Sequence, residues 1–205
     1  MGGISILVTQ RQPSLKENNK TTAKLMFDFN STSYKEFLKN FRNDPEKKRV
    51  IVFAGNFTEN RKYALSQFET EVMGDSVHVS LEDHISGSES ETYKKLDQLF
   101  DRLSSIWSLI IFNNAEQLCG VYVGHTYSVV KYATPQEKYF IKKLAELNSP
   151  CIIEFENLNH IDKAIERTAD AVIRFNVPSS RIEKLFFWLS QVRVNGSNLP
   201  SRRPV

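Results

Sequence analysis

Cysteine is scarce in this chain of 205 residues: Cys119 and Cys151 are the only two. Two thiols do not make a disulfide framework, and Cys151, at the head of an apolar run, reads as a small core residue. Long apolar runs are missing as well. No stretch approaches the roughly 20 residues that a membrane-spanning helix needs. The opening Met1-Gly-Gly-Ile-Ser-Ile-Leu-Val-Thr9 has neither a basic leading region nor a cleavage site, so a secretory signal is not expected. Without secretion the four Asn-x-Ser/Thr sequons at Asn19, Asn30, Asn56 and Asn195 carry no glycan, and the expected compartment is the cytoplasm. Charge of one sign is not in excess: 27 Lys and Arg stand against 24 Asp and Glu, for a net +3. The short basic runs Lys47-Lys48-Arg49 and Arg202-Arg203 read as solvated ends of elements, which counts against nucleic acid as a partner. His78, His84, His125 and His160 are scattered with no metal-ligand spacing. Ser128, Ser179 and Ser180 lack a nucleophile-elbow context. No metal site and no catalytic constellation is expected.

What the chain does have is a regular alternation of apolar runs and amphipathic stretches. Residues 11–22 are polar and turn-rich and read as an irregular arm. Leu25, Phe27 and Phe29 alternate with Met26, Asp28 and Asn30, a short strand or extended piece. Ser31 or Ser33 can cap a helix with Tyr34, Phe37, Leu38 and Phe41 on one face, ended by Asp44-Pro45. Val50-Ile-Val-Phe-Ala54 is continuously apolar, as expected of a strand buried on both faces. A helix over 60–73, a strand over 77–81, a helix over 92–105 and a strand over 107–112 follow. The stretch 119–132 is polar and interrupted by glycine. Thr134, Pro135 and Glu137 then carry the N-cap, first-position proline and third-position acid of a helix running to Leu147. Residues 150–155 form the next strand, 161–168 a helix in which Asp162 is a capping residue, and 171–175 a last strand. Pro178 or Ser179 opens a final helix. Strands alternating with helices over 49–192 predict an α/β sandwich on a mainly parallel sheet.

Four separated features fall in the order seen in AAA+ ATPases. Val50 to Lys62, with Gly55, Asn60, Arg61 and Lys62, is similar to a Walker A strand and loop. Ser108 to Asn114 is similar to Walker B, with Asn113 and Asn114 at the two carboxylate positions. Cys151 to Asn157 lies where sensor 1 lies, with Glu156 at its polar position. Ile161 to Pro178, with Arg167 and the Phe175-x-x-Pro178 exit, is similar to the arginine segment and last strand. The resemblance covers residues 49–192, and the stretch from Glu116 to Leu147 is similar in layout to an insertion found in AAA+ proteins of contractile injection systems. It implies a three-layer P-loop fold on a mainly five-stranded parallel sheet, with residues 1–48 as an N-terminal arm and helix, 49–194 as the core and 195–205 as a flexible tail.

Every catalytic position departs from the pattern that the resemblance implies. A phosphate loop uses glycines to let backbone N–H groups wrap the phosphates, a Lys on the β/γ-phosphates and a hydroxyl on magnesium. Asn60 tolerates left-handed geometry, Arg61 supplies a planar fork instead of a point charge, and Lys62 cannot ligate a cation. Asn113 is a poor magnesium partner. Asn114 cannot take a proton, which removes general-base help of about 10²- to 10⁴-fold. Glu156 would repel a γ-phosphate, and no helical lid is expected after the last helix. These residues therefore read as a vestigial nucleotide pocket with degenerate Walker motifs and no enzyme activity. The expected function is that of a pseudo-ATPase scaffold or regulatory subunit, partnered by another protein such as an intact AAA+ subunit or an injection-system component, with no cofactor. The alternative is an ATP- or ADP-binding protein, or weak ATPase, using a rearranged pocket in which Arg61 and Lys62 hold phosphates.

Overall fold

A strand buried at every position needs cover on both of its faces, and Val50–Ala54 (β2) is such a strand. The computed structural model describes residues 25–71, 76–119, 133–176 and Leu185. Around β2 it builds a six-stranded sheet from Leu25–Asp28 (β1), Val77–Ser80 (β3), Ile110–Asn113 (β4), Cys151–Phe155 (β5) and Ala171–Arg174 (β6), in the order β1-β6-β2-β5-β4-β3. Every pairing is parallel. The α/β architecture and parallel sheet agree with the sequence reading, with one strand beyond the expected five. The sixth is β1, whose Leu25 to Asp28 pair in register with Ala171 to Arg174. Arg174 Nε stands 2.9 Å from the Asp28 carboxylate at the end of that register. Strand β1 and the helix after it, which the pattern grouped with the arm, thus share the sheet and core of the later residues.

Among the described residues, five α-helices cover the sheet: Thr32–Asn43 (α1), Thr58–Glu71 (α2), Glu89–Ser104 (α3), Pro135–Glu146 (α4) and Lys163–Thr168 (α5). Strand alternation sorts the core into two layers. Val50, Val52 and Ala54 of β2 pack with Leu96, Leu99, Phe100 and Leu103 of α3, Phe140 and Leu144 of α4, and Ile165 of α5. Ile51 and Phe53 face the other way, toward Tyr34, Leu38 and Phe41 of α1 and Ala64, Leu65 and Phe68 of α2. Connections that step one way along the sheet, β1 to β2 and β2 to β3, carry their helices on the α1/α2 side. Those that step back, β3 to β4 to β5 to β6, carry theirs on the other side. A constant crossover hand requires this division.

Local signals end these elements as the sequence indicated. Ser31 Oγ accepts the Tyr34 N–H at 3.1 Å and Thr134 Oγ1 accepts the Glu137 N–H at 3.1 Å. Asp162 caps α5 through Ala164 N–H at 2.7 Å and Ile165 N–H at 2.8 Å. Cys151 is buried at the start of β5, and burial pushes its thiol up to about 12. Among the described residues no helix is long and apolar enough to cross a membrane. The expected arm over 1–24, the stretch 120–132, all of the final helix but Leu185, and the tail lie outside the described residues.

Candidate functional site

In an open parallel sheet, a crevice forms beyond the carboxyl ends of two neighbouring strands whose outgoing chains turn to opposite faces. Strands β2 and β5 are such neighbours: β2 leads into α2 on one face and β5 into α5 on the other. Ala54 and Phe155 end these strands side by side in register.

Arg61 is bonded to the groups at these strand ends. This residue lies in the first turns of α2, and its side chain runs back toward the strand ends. Its Nη1 donates to Gly55 O at 2.6 Å and to Phe155 O at 3.2 Å, and its Nε donates to Glu154 Oε1 at 3.0 Å. Both partners of the ion pair are largely buried, with side chains 11% and 15% exposed. Glu154 projects on the α1/α2 side because Ile152, two residues earlier, does so. Burial outweighs the attraction of Arg61 and holds the Glu154 carboxyl above its ordinary value, with Glu116 adding a smaller push in the same direction.

Gly55 has a packing reason to be glycine. Its φ is +142°, and a Cβ there would lie 2.3 Å from Phe175 O. Gly55 N–H donates to Phe155 O at 3.2 Å, so the residue is wedged between the exits of β5 and β6. The conformation is set by strand packing.

The remaining candidates divide. Asn60 is buried at 3% exposure beside Arg61, and its Nδ2 has no hydrogen-bond partner. Lys62 points to solvent, 3.9 Å from Glu59. Asn113 ends β4 with its Oδ1 buried and unpartnered. Asn114 adopts the left-handed conformation, φ 57° and ψ 39°, as the cap of the turn Ala115–Gln117. Its Nδ2 donates to Ser80 Oγ at 3.2 Å and Glu82 Oε1 at 3.0 Å, which ties the β4 exit to the β3 exit. Glu156 is exposed, and its backbone N–H donates to the Glu116 carboxylate. Arg167 is an exposed residue of α5. The structure therefore brings Gly55 and Arg61 into one contact set, leaves Lys62 and Arg167 outside it, and engages Asn114 with β3.

Two residues of this region were missed from sequence: Glu154 and Glu116. A carboxylate inside the apolar run Cys151-Ile-Ile-Glu-Phe155 was the available signal, because a buried charge requires a partner. Around the strand exits Glu154, Glu116, Glu156 and Glu82 supply negative charge, while Arg61 is committed to Glu154 and two carbonyls. The arrangement is rich in acceptors and hostile to a phosphate. Among the described residues, no three His, Cys, Asp or Glu side chains converge in a way that could hold a metal ion.

No family model matches the chain, and no curated protein matches it by sequence. A solved structure from Escherichia coli MS115-1, described as a HORMA:CdnC:Trip13 complex, is similar to it at 15% identity with a TM-score of 0.50. The match covers 84% of this chain and 64% of that one, so the chain spans less than two thirds of its solved neighbour. Likeness at this identity shows an α/β fold and nothing finer. It also corrects the family placement made from the sequence: the similar structure is described by its HORMA, CdnC and Trip13 components, and no family model supplies a link to AAA+ ATPases. The AAA+ and P-loop assignment is therefore withdrawn, and with it the pseudo-ATPase label, the Walker motifs and the injection-system affiliation. The physical source of the error is plain. Apolar strand runs, a glycine at a strand exit and a cation in the next helix arise from parallel-sheet packing, and here Gly55 and Arg61 serve that packing. What stands is a six-stranded parallel sheet between two helical layers, with the Arg61–Glu154 pair at the ends of its central strands.

Proposed function

We propose that this chain is a non-enzymatic, cytoplasmic protein-binding module that acts as a scaffold or regulatory subunit in a protein assembly. The observation that carries this reading is the Arg61 guanidinium seated on Gly55 O, Phe155 O and Glu154. The position where an α/β sheet offers a small-molecule crevice is taken by the protein's own side chain. Catalysis of hydrolysis depends on groups aimed at developing charge, each worth about 10²–10³ in rate, and the groups at this crevice are turned to one another. The similar solved structure is itself a multiprotein complex, which supports a protein partner for this chain.

The alternative is a nucleotide-binding protein with Arg61 and Lys62 on the phosphates. Arg61 is engaged on three acceptors and Lys62 faces solvent beside Glu59, so neither observation favours it. Titration calorimetry with Mg·ATP and ADP, run beside a phosphate-release assay, separates the readings. The module reading expects no saturable heat and no released phosphate. Micromolar binding with turnover that Arg61→Ala abolishes would overturn it. Affinity capture with the intact chain, followed by mass spectrometry and reconstitution from purified proteins, identifies the partner.

A further inference from the structure

The sheet ends in β1 on one side and β3 on the other, and the two edges are finished differently. At β3, Val77 N–H donates to Leu109 O at 2.9 Å while Val77 stands opposite Ile110. Val77 and Val79 therefore turn their backbone groups to β4, and His78 and Ser80 turn theirs outward. Polar contacts line that edge: His78 Nε2 lies 2.9 Å from Glu69 Oε1, and Ser80 Oγ accepts from Asn114 Nδ2. Polar and charged side chains are a usual guard of an exposed strand.

At β1 the guard is missing. Phe29 N–H donates to Arg174 O at 3.0 Å, and Asp28 stands opposite Arg174. Leu25, Phe27 and Phe29 thus turn their backbone groups to β6, and Met26 and Asp28 turn theirs away from it. Ser31 N–H takes Asp28 O at 3.2 Å, but Met26 N–H, Met26 O and Asp28 N–H have no partner among the described residues. The neighbouring side chains are apolar and uncovered, Leu25 at 51% exposure and Met26 at 44%. Leu25 lies on the α1/α2 face with buried Phe27, and Met26 lies on the other.

Such an edge accepts a further strand through its main-chain groups. The chain holds a segment of the right kind in Ile4-Ser-Ile-Leu-Val8, β-branched and apolar at three of its five positions. It lies outside the described residues, joined to β1 by the 16 residues from Thr9 to Lys24. That tether is polar and contains Pro13, so it offers no apolar face for a crossover and suits a wide hairpin loop. An antiparallel edge strand on an otherwise parallel sheet is a common arrangement. With Leu7 opposite Met26, the two residues exchange both backbone bonds and Asp28 N–H meets Ser5 O. Leu7 then packs beside Met26, while Ile6 and Val8 fall on the face of Phe27 and Leu25. Tethering gives this segment a high effective concentration over any second molecule.

We propose that residues 4–8 form a seventh strand of the sheet, antiparallel to β1 with Leu7 opposite Met26, and so close the β1 edge against pairing with other chains. This inference goes beyond the protein-binding reading and does not depend on it.

The test is amide exchange read residue by residue by NMR on the intact chain and on full-length Leu7→Pro, which removes the N–H that Met26 O would accept. In Leu7→Pro the Met26 and Asp28 amides should exchange about tenfold faster, while those of His78, Ser80 and the β2 residues Ile51 to Phe53 keep their wild-type rates. A second measurement fixes the register. Opposed residues that exchange both backbone bonds have Cα atoms about 5.5 Å apart, a separation that a disulfide spans. The paired substitution Leu7→Cys with Met26→Cys should therefore close an intramolecular disulfide on mild oxidation, and Leu7→Cys with His78→Cys should not. Cys119 and Cys151 are buried and do not compete. Equal Met26 and Asp28 exchange in the two proteins overturns the proposal, as does cross-linking to position 78 as readily as to 26. Protection of Met26 that is lost on dilution, or cross-links formed only between molecules, overturns it in favour of a second copy at this edge.

Discussion

Arg61 and Glu154 are 93 positions apart in the chain and 3.0 Å apart in the fold. Their contact joins the start of α2 to the end of β5, and it converts two charges that would each be costly to bury into one satisfied unit. The pair explains why a carboxylate is tolerated in a strand whose other four residues are buried and apolar. Its removal should be informative in two different ways.

Breaking one side of the pair should cost far more than replacing both. Arg61→Ala or Glu154→Ala leaves a buried charge without its partner, a loss of about 3–5 kcal/mol. The double change Arg61→Met with Glu154→Leu removes both charges and keeps most of the volume. It is expected to lose less than either single change, about 1–3 kcal/mol, because the charges are gone but Gly55 O still loses its Nη1 donor. Urea denaturation of the single and double variants reads this directly; additive losses would mean that the two residues do not act as a unit.

Gly55→Ala should be among the most damaging single-methyl changes in the chain. The new Cβ would stand 2.3 Å from Phe175 O at a φ of +142°, and both the clash and the strained backbone oppose it. A loss on the order of 3 kcal/mol or more is expected. Gly87→Ala is the control, since a Cβ there meets nothing within 4 Å, and it should stay within about 0.5 kcal/mol of wild type. Melting temperatures of the two variants, measured side by side, decide the point.

Glu154 should leave a signature in the dependence of stability on pH. Its carboxyl is held above the reference value of 4.5 by burial, which Arg61 only partly offsets. A carboxyl raised in the folded state contributes stability below its unfolded pKa and loses that contribution as pH rises through the folded value. Relative to Glu154→Gln, which does not titrate, the wild type should therefore lose stability as pH climbs from 4.5 through the folded pKa. Denaturation curves collected across that window should show the difference between the two proteins closing in this direction; a difference that widens in favour of the wild type contradicts it.

Asp162→Ala should weaken the β5 to β6 connection. Asp162 is 4% exposed and accepts two N–H groups of the first turn of α5. Losing such a cap costs about 1–2 kcal/mol. Asp162→Asn, which retains a capping oxygen, should recover most of it in the same denaturation experiment.

The local architecture was legible in the order of the residues. Continuous apolar runs such as Val50–Ala54 and Cys151–Phe155 marked strands covered on both faces, and Ser31, Thr134, Pro135 and Asp162 marked helix starts. These signals are legible because propensity, capping and periodicity act over a few residues. The tertiary structure alone decided the rest. Nothing local brings Leu25–Asp28 beside Ala171–Arg174, because that pairing closes across 146 positions of the chain. Nothing local turns Arg61 inward either: a cation in the first turns of a helix reads as solvent-facing until Glu154 and two strand-end carbonyls are seen to converge on it. The same holds for Gly55. The sequence shows a glycine after a strand, and only the approach of Phe175 O at 2.3 Å from its would-be Cβ gives the reason. Side-chain chemistry is carried by single residues, but the meaning of a charge is set by the groups that long-range packing places around it.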